Sequence, residues 1–140
     1  MINLDFKETK HYLKRVKYLD GLINSKAEQL KDLRNMIYNI SGNKNKERVQ
    51  TSKCVDKIGD IMSKIVDLEN ELDNDIDKLV DLKAEVTKRI DEIPDMECRL
   101  LLMLRYLNFK TWEEIAEKMG YSDRHIRRLH CFALNKFSKI

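Results

Sequence analysis

The sequence contains little proline, glycine and cysteine, and each scarcity argues against a class of fold. One proline and four glycines among 140 residues are too few for the many turns of a β-sandwich or barrel. Three cysteines without a CxxC pair argue against a zinc knuckle or a disulfide framework. A barrel enzyme of alternating strands and helices needs roughly 200 residues or more, so the length excludes that class.

Long apolar runs are also missing. No stretch reaches the roughly 18 consecutive apolar residues of a membrane span, and residues 1–17 carry charges throughout, unlike a signal peptide. We therefore expect a cytoplasmic protein without a membrane partner.

Catalytic and metal-binding patterns are equally scarce. The sequence has no glycine-rich phosphate loop, and His11, His125 and His130 lack the spacing of metal ligands. We expect no enzyme activity, no cofactor, no metal and no small-molecule substrate.

What the sequence does contain favours helices. Charged residues make up 36% and hydrophobic residues 42%, a composition typical of all-α proteins with long helices. A polar cluster at 41–46 and Pro94 interrupt the helical pattern, because such clusters form loops and proline cannot continue a helix. The predicted domains are therefore 1–93 and 94–140.

Two long segments of the first domain show a heptad pattern, in which apolar residues alternate at steps of three and four. In the first segment these positions are Val16, Leu19, Ile23, Leu30, Leu33, Ile37 and Ile40, with Lys26 at the polar position. In the second they are Ile58, Ile61, Ile65, Leu68, Leu72, Leu79, Leu82, Val86 and Ile93, with Asp75 and Arg89 at polar positions.

A short connection at about 41–53 predicts that the two helices form a coiled-coil-like antiparallel hairpin. Residues 7–17 hold five basic side chains and one acid, and residues 67–81 hold seven acids and one lysine. We expect these stretches to lie near each other; the alternative is that both are solvated faces. Because a two-helix hairpin has a thin core, the first domain is also expected to form a homodimer. Lys26, Asp75 and Arg89 are candidates for setting register or oligomeric state.

The second domain predicts a three-helix helix-turn-helix. Its first helix begins at Pro94-Asp95, since proline is accommodated in a first turn, and ends near Leu107. Thr111 and Glu114 form a capping box for a short second helix, and Gly120 supplies a stop with positive φ. Ser122 caps a third helix over 123–137.

The third helix has two different faces. Ile126, Leu129, Ala133 and Phe137 fall within about 40° of one direction, and the opposite face carries Arg124, Arg127, Arg128, Cys131 and Asn135. Residues 124–140 contain five basic side chains and no acid. This pattern predicts a recognition helix in the major groove of DNA, where arginine pairs with guanine and asparagine with adenine. His125 and His130 are predicted to contact phosphate from the flanks.

The residues Glu114-Ile115-Ala116, Gly120-Tyr121-Ser122, Ile126-Arg127-Arg128 and Ala133-Leu134 resemble region four of bacterial primary sigma factors. That resemblance implies base-reading positions at Asp123, Arg124 and Arg128 and a backbone contact at Arg127. Sigma factors usually have Arg, Glu and Gln at the first three positions, so a different DNA sequence is expected here.

Over a longer span the chain resembles small phage and prophage regulators of the ArpU and RinA type. Segments that carry this resemblance include 18–20, 47–50, 64–69, 79–83 and 104–107. The resemblance implies a regulator in a bacterial host, associated with the nucleoid, with RNA polymerase as a further partner.

The predicted function is therefore sequence-specific binding of double-stranded DNA to regulate transcription. The candidate base-reading residues are Asp123, Arg124, Arg128, Cys131 and Asn135. The candidate phosphate-contacting residues are Thr111, Ser122, His125, Arg127 and Lys136. The alternatives are a DNA-packaging protein of the small-terminase type and an adaptor whose second domain binds protein.

Overall fold

The computed structural model describes residues 5–42 and 52–140, and these residues form helices and no strands. The long helices are α1 (Phe6–Gly42) and α2 (Ser52–Asp91). They are followed by α3 (Met96–Leu102), which continues as a π-helical turn (Met103–Leu107), and by α4 (Trp112–Met119) and α5 (Asp123–Ser138). The predicted all-α class, with a long helix pair before a helix-turn-helix, is confirmed.

The predicted connection at 41–53 is shorter than expected at both ends. Ser41 and Gly42 belong to α1 and Ser52 begins α2. The hydroxyl of Ser41 donates to the carbonyl oxygen of Ile37 over 2.9 Å, a local bond that serine commonly makes within a helix. Residues 43–51 lie outside the described part of the chain.

The chain divides into two compact units. The first joins the start of the chain, up to Asp20, with Leu79–Ile140, and the second is Gly21–Lys78. Each unit contains part of α1 and part of α2. The predicted division of roles at residue 94 stays a prediction.

The second unit is an antiparallel pair of helices held by the predicted seam. Leu30, Ile61, Ile65 and Leu72 are buried, and partly buried apolar residues pack against them. Two ion pairs fix the direction: Lys26 contacts Asp75 over 2.6 Å, and Arg34 contacts Glu69 over 2.7 Å. The two helices of the pair therefore run antiparallel.

The two polar positions of the seam, Lys26 and Asp75, meet each other. The ammonium of Lys26 donates to the Asp75 carboxylate, and this hydrogen bond is the main cause of the raised pKa of Lys26. Any shift of α1 along α2 would set each charge against an apolar neighbour. The pair therefore selects one register of the hairpin within a single chain.

The predicted proximity of the basic residues at 7–17 to the acidic residues at 67–81 is wrong. In the second unit the acids Glu69, Glu71 and Asp75 face Lys26 and Arg34. In the first unit Tyr12 lies against Arg89, whose guanidinium carbon is 4.9 Å from the centre of the ring. The buried seam and the part-buried Lys26–Asp75 pair outweigh the exposed charges of 7–17 and 67–81 in setting the register, because pairs of exposed charges contribute only about 0–1 kcal/mol each.

The first unit has one hydrophobic core that includes residues from all five helices. Its fully buried members include Leu13 of α1, Ile90 of α2, Leu101 of α3, Ile115 of α4 and Phe137 of α5. The helix-turn-helix is therefore packed on the residues of α1 and α2 that belong to this unit. Arg89, a polar position of the seam, lies 4.5 Å from the centre of the Phe137 ring, where a guanidinium stacks favourably.

Replacing one partner of the Lys26–Asp75 pair should destabilise the hairpin, and replacing both should not. Lys26→Leu alone leaves the part-buried Asp75 carboxylate without its partner, whereas Lys26→Leu with Asp75→Leu extends the apolar seam. We expect the thermal midpoint to fall for either single variant and to recover in the double variant. Circular dichroism melting tests this.

The control is Asp73→Leu, an exposed position of α2, which should change the free energy of unfolding by less than about 0.5 kcal/mol. Equal losses for Asp73→Leu and Asp75→Leu would contradict a role of the pair in fixing register.

Candidate nucleic-acid interface

The turn before α4 is built from local bonds. The π-helical turn closes with the amide of Asn108 donating to the carbonyl of Met103 over 2.9 Å. Phe109 then adopts φ 57°, which is uncommon for a residue other than glycine. Its ring packs against the core of the first unit, and this burial offsets the backbone strain.

Both helices of the motif begin at a hydroxyl cap. The Thr111 side chain accepts from the amide of Glu114, and the Ser122 side chain accepts from the amide of His125, each over 3.2 Å. Caps of this kind stabilise a helix by about 1 kcal/mol each. The predicted starts of α4 and α5 are confirmed.

The turn between α4 and α5 depends on Gly120. Its φ is 71° and its ψ is 30°, a left-handed conformation that a side chain would strain. Its amide donates to the carbonyl of Ala116 over 2.9 Å, and the predicted helix stop is confirmed. Tyr121 then fastens the turn to α3, because its hydroxyl donates to Glu97 over 2.6 Å.

The back of α5 is buried as predicted. Three of the four predicted residues, Ile126, Ala133 and Phe137, have at most 1% exposure, and Leu129 is partly buried against the same core. Leu134, which the prediction did not include, is buried as well, and α5 packs on both α3 and α4. The orientation of α5 is therefore set by apolar contacts along most of its length.

The opposite face of α5 is exposed and basic. This face, which we call the recognition face, consists of Arg124, Arg127, Arg128, Cys131 and Asn135. These five side chains span about 100° around the helix and roughly 17 Å along it. Within the described part of the chain, no ion pair engages its three arginines.

The remaining predicted site residues lie around this face. Thr111, Ser122, Asp123 and His125 are exposed at the N-terminal ends of α4 and α5. The His125 ring meets Tyr121 edge-on, with 4.3 Å between ring centres. Lys136 is half-buried, and its ammonium lies 5.2 Å from the centre of the Phe132 ring. The contacts of these residues and of the recognition face with DNA stay predictions.

His130 is a different case, and its predicted phosphate contact is wrong. Its side chain belongs to the buried side of α5, with 7% exposure. The Nε2 atom lies 2.7 Å from the Tyr106 hydroxyl oxygen, and the edge of Trp112 approaches the ring at 4.6 Å. The angular position of His130, about 40° from Ile126, is on the flank of α5 next to the buried side.

The polar pair of Tyr106 and His130 is uncharged at neutral pH. Burial, together with the positive charges of Lys10, Arg105 and Lys14, lowers the pKa of His130 to about 4. Burial also raises the pKa of Tyr106 to about 12. The pair therefore supports α5 from behind and adds no charge to the interface.

The cysteines differ in exposure. Cys98 is buried in the core, and burial raises the pKa of its thiol. Cys131 is exposed on the recognition face. The described residues contain no group of three or more His, Cys, Asp and Glu side chains that could hold a metal ion.

Two short helices joined by a glycine turn, with the second helix presenting an exposed basic face, define a helix-turn-helix domain. Residues 94–139 match the sequence model of the family described as Sigma-70, region 4. The match covers 46 of the 140 residues, so it describes the domain and not the whole chain. The domain is therefore a helix-turn-helix similar to sigma region 4, a type of domain that binds DNA.

No curated protein and no solved structure matches the chain. Among the described residues, no helix is both long enough and apolar enough to cross a membrane.

The stability of the domain should depend on pH because of His130. Its pKa is about 4 in the folded state and about 6.5 when unfolded. Because the folded-state pKa is lowered, the contribution of His130 to the free energy of unfolding is fully present above pH 6.5 and is lost as the pH falls toward 4. Between pH 7.5 and pH 5 this corresponds to about 2 kcal/mol of the free energy of unfolding. Urea unfolding at several pH values measures it.

His130→Gln should reduce the slope of the free energy of unfolding against pH, because glutamine does not titrate. His11→Gln, at an exposed position of α1, should leave the slope in place. The same slope in wild type and His130→Gln would show that other groups cause the acid sensitivity.

Proposed function

We propose that the protein is a sequence-specific regulator of transcription that places α5 in the major groove of double-stranded DNA. The observation that carries the proposal is the recognition face. It presents three exposed arginines, which pair with no carboxylate among residues 5–42 and 52–140, on a helix whose opposite side is buried. An α-helix fits the major groove, and its side chains can reach the base edges there.

The roles proposed for the side chains follow from their positions on α5. In helix-turn-helix proteins the N-terminal part of the recognition helix contacts the base edges. Asp123, Arg124 and Arg128 occupy that part, and Cys131 and Asn135 continue the same face toward the C-terminal end. Arginine can bind guanine through two hydrogen bonds, and a carboxylate can accept from cytosine. Arg124 and Arg128 are therefore proposed to carry most of the base choice.

Phosphate contacts are proposed for the residues that border the recognition face. Thr111 and Ser122 stand at helix N-termini, where the backbone amides and the helix dipole favour an anion. Arg127, His125 and Lys136 lie along α5. These contacts position the domain and make binding depend on salt, but they do not read sequence.

The regulated genes are proposed to be those of a phage or prophage, with RNA polymerase as a second partner. Support comes from the resemblance to phage regulators and from the sigma region 4 type of the domain. Recognition of the usual sigma promoter element is not expected, because Asp123, Arg124 and Arg128 replace the residues that sigma factors usually have.

Arg128→Ala should flatten the preference between DNA sequences. We expect a loss of roughly 1–3 kcal/mol on the best site and little loss on unrelated DNA. The site is first selected from a pool of random duplexes, and fluorescence anisotropy then measures binding to the selected and scrambled duplexes.

Arg127→Ala should instead weaken binding to both duplexes alike, as a phosphate contact does. The control Lys64→Ala, at an exposed position of α2, removes the same charge outside the domain and should change neither affinity. If Arg128→Ala lowers the affinity for both duplexes equally, Arg128 contacts phosphate and does not read bases. A wild-type protein that binds no duplex at low salt would reject the proposed function.

A homodimer through the helices of the second unit is the proposed assembly. A second apolar stripe on α2 is exposed, consisting of Val55, Met62, Val66 and Ile76 with 42–57% exposure. These residues fall within about 80° around the helix. The stripe therefore stays on one face of α2 from Val55 to Ile76, as a helix that packs on a partner requires.

Met62→Glu with Val66→Glu should convert the dimer to a monomer, because the two carboxylates would be buried without partners. Lys64→Glu, which lies about 180° from the stripe, is the matched control and should stay dimeric. Light scattering gives the mass in solution. A monomeric wild type would contradict the dimer, and a ring of many subunits would favour the packaging alternative over regulation.

A further inference from the structure

The start of α1 carries a strip of lysines that form no ion pair with the other described residues. Lys7, Lys10, Lys14 and Lys17, which we call the α1 strip, fall within about 80° around the helix. Ion pairs of lysine in the described part of the chain involve Lys26 and Lys110 and none of these four. Within the described part of the chain, the positive charges of the strip are therefore not neutralised by ion pairs.

The α1 strip lies beside the helix-turn-helix within the first unit. Lys14 and Lys17 line a cavity of about 200 Å³ together with Tyr18, Arg105 and Tyr106. None of these five residues is acidic. Lys10 and Lys14 are also close enough to α5 for their charges to act on His130.

Arg105 connects the strip to the start of α4. One of its Nη atoms donates to the carbonyl oxygen of Lys110 over 3.0 Å, and its guanidinium carbon is 4.3 Å from the centre of the Trp112 ring. Trp112 is the first residue of α4 and follows the cap Thr111. In helix-turn-helix complexes the first helix of the motif crosses the DNA backbone, so this end of α4 is the end expected near phosphates.

We infer that the α1 strip and Arg105 form a second DNA-binding surface, which binds backbone phosphates beside the site read by α5. This inference rests on the proposed function, because it assigns more of the DNA to the same complex. DNA is the occupant that the charges favour. Glu8 lines a cavity together with Lys7, Lys10 and Lys14, but the four lysines leave the strip with a net positive charge, which matches a polyanion with regularly spaced charges. Lysines act as point charges on phosphate and carry no sequence preference.

The test compares a variant of the strip with a charge-matched variant elsewhere. Lys10→Ala, Lys14→Ala and Lys17→Ala are combined in the full chain, and binding to the selected and scrambled duplexes is measured across a range of salt. Loss of three phosphate contacts should lower the slope of log affinity against log salt by about 2.7, so that affinity changes roughly 40-fold less between 50 and 200 mM salt. The loss should be equal on both duplexes.

Two controls separate a specific surface from general charge and from misfolding. Lys53→Ala, Lys57→Ala and Lys64→Ala, all exposed on α2, remove the same net charge and should leave the salt slope as in wild type. Replacing the same three α1 lysines by arginine should keep the slope, because the charges are retained. Thermal melting checks that each variant is folded.

The location of the contact is tested by phosphate ethylation interference on the selected duplex. Ethylation of certain phosphates should interfere with binding of the wild type and of Arg127→Ala but no longer with binding of the strip variant. An unchanged salt slope in the strip variant, or an equal drop in the α2 control, would overturn the inference while leaving the proposed function intact, provided that Arg128→Ala still alters site preference. Absence of binding by the wild type would overturn both.

Discussion

The shared core of the first unit is the constraint on which the position of the recognition helix depends. The eight residues of α4 are too few to form a stable helix alone, since isolated helices shorter than about 12–15 residues are marginal in water. α4 and α5 are held because Ile115, Ile126 and Phe137 are buried in the same core as Leu13 and Ile90. This shared core therefore fixes the orientation of α5 within the first unit, and with it the direction in which the basic face points.

That core also extends beyond the segment that matches the sigma family. The match begins at residue 94, whereas Leu13, Val16, Val86 and Ile90 are fully buried against residues of the matched segment. These residues cover apolar surface that would otherwise face water. The helix-turn-helix here is therefore stabilised by segments of α1 and α2 that its family model does not include.

Local features of this fold could be predicted from the sequence, because the residues that cause them are neighbours in the chain. The seam positions of α1 and α2, the caps Thr111 and Ser122 and the turn at Gly120 each follow from a short pattern. The two faces of α5 follow from helical spacing in the same way. The structure confirms these features.

Features that depend on distant contacts could not be predicted in the same way. Ile90 directly follows the seam position Arg89, and Leu13 lies before the first predicted seam position, Val16. Their burial reveals a third neighbour that spacing does not identify. Charge patterns suggested a wrong juxtaposition of 7–17 with 67–81, since weak surface charges do not decide register. Spacing predicts His130 on the flank of α5, but its contacts with the distant residues Tyr106 and Trp112 bury it.

The hydroxyl caps have a consequence for how the domain can approach a polyanion. Aspartate caps a helix about as well as serine, but it would add a negative charge at the end where the helix dipole is positive. Thr111 and Ser122 satisfy the first amides of α4 and α5 while remaining electrically neutral. The caps therefore add no negative charge to that of Glu113 and Glu114 in the first turn of α4 and of Asp123 in the first turn of α5. The requirement for a helix cap thus does not by itself reduce the positive charge of the surface.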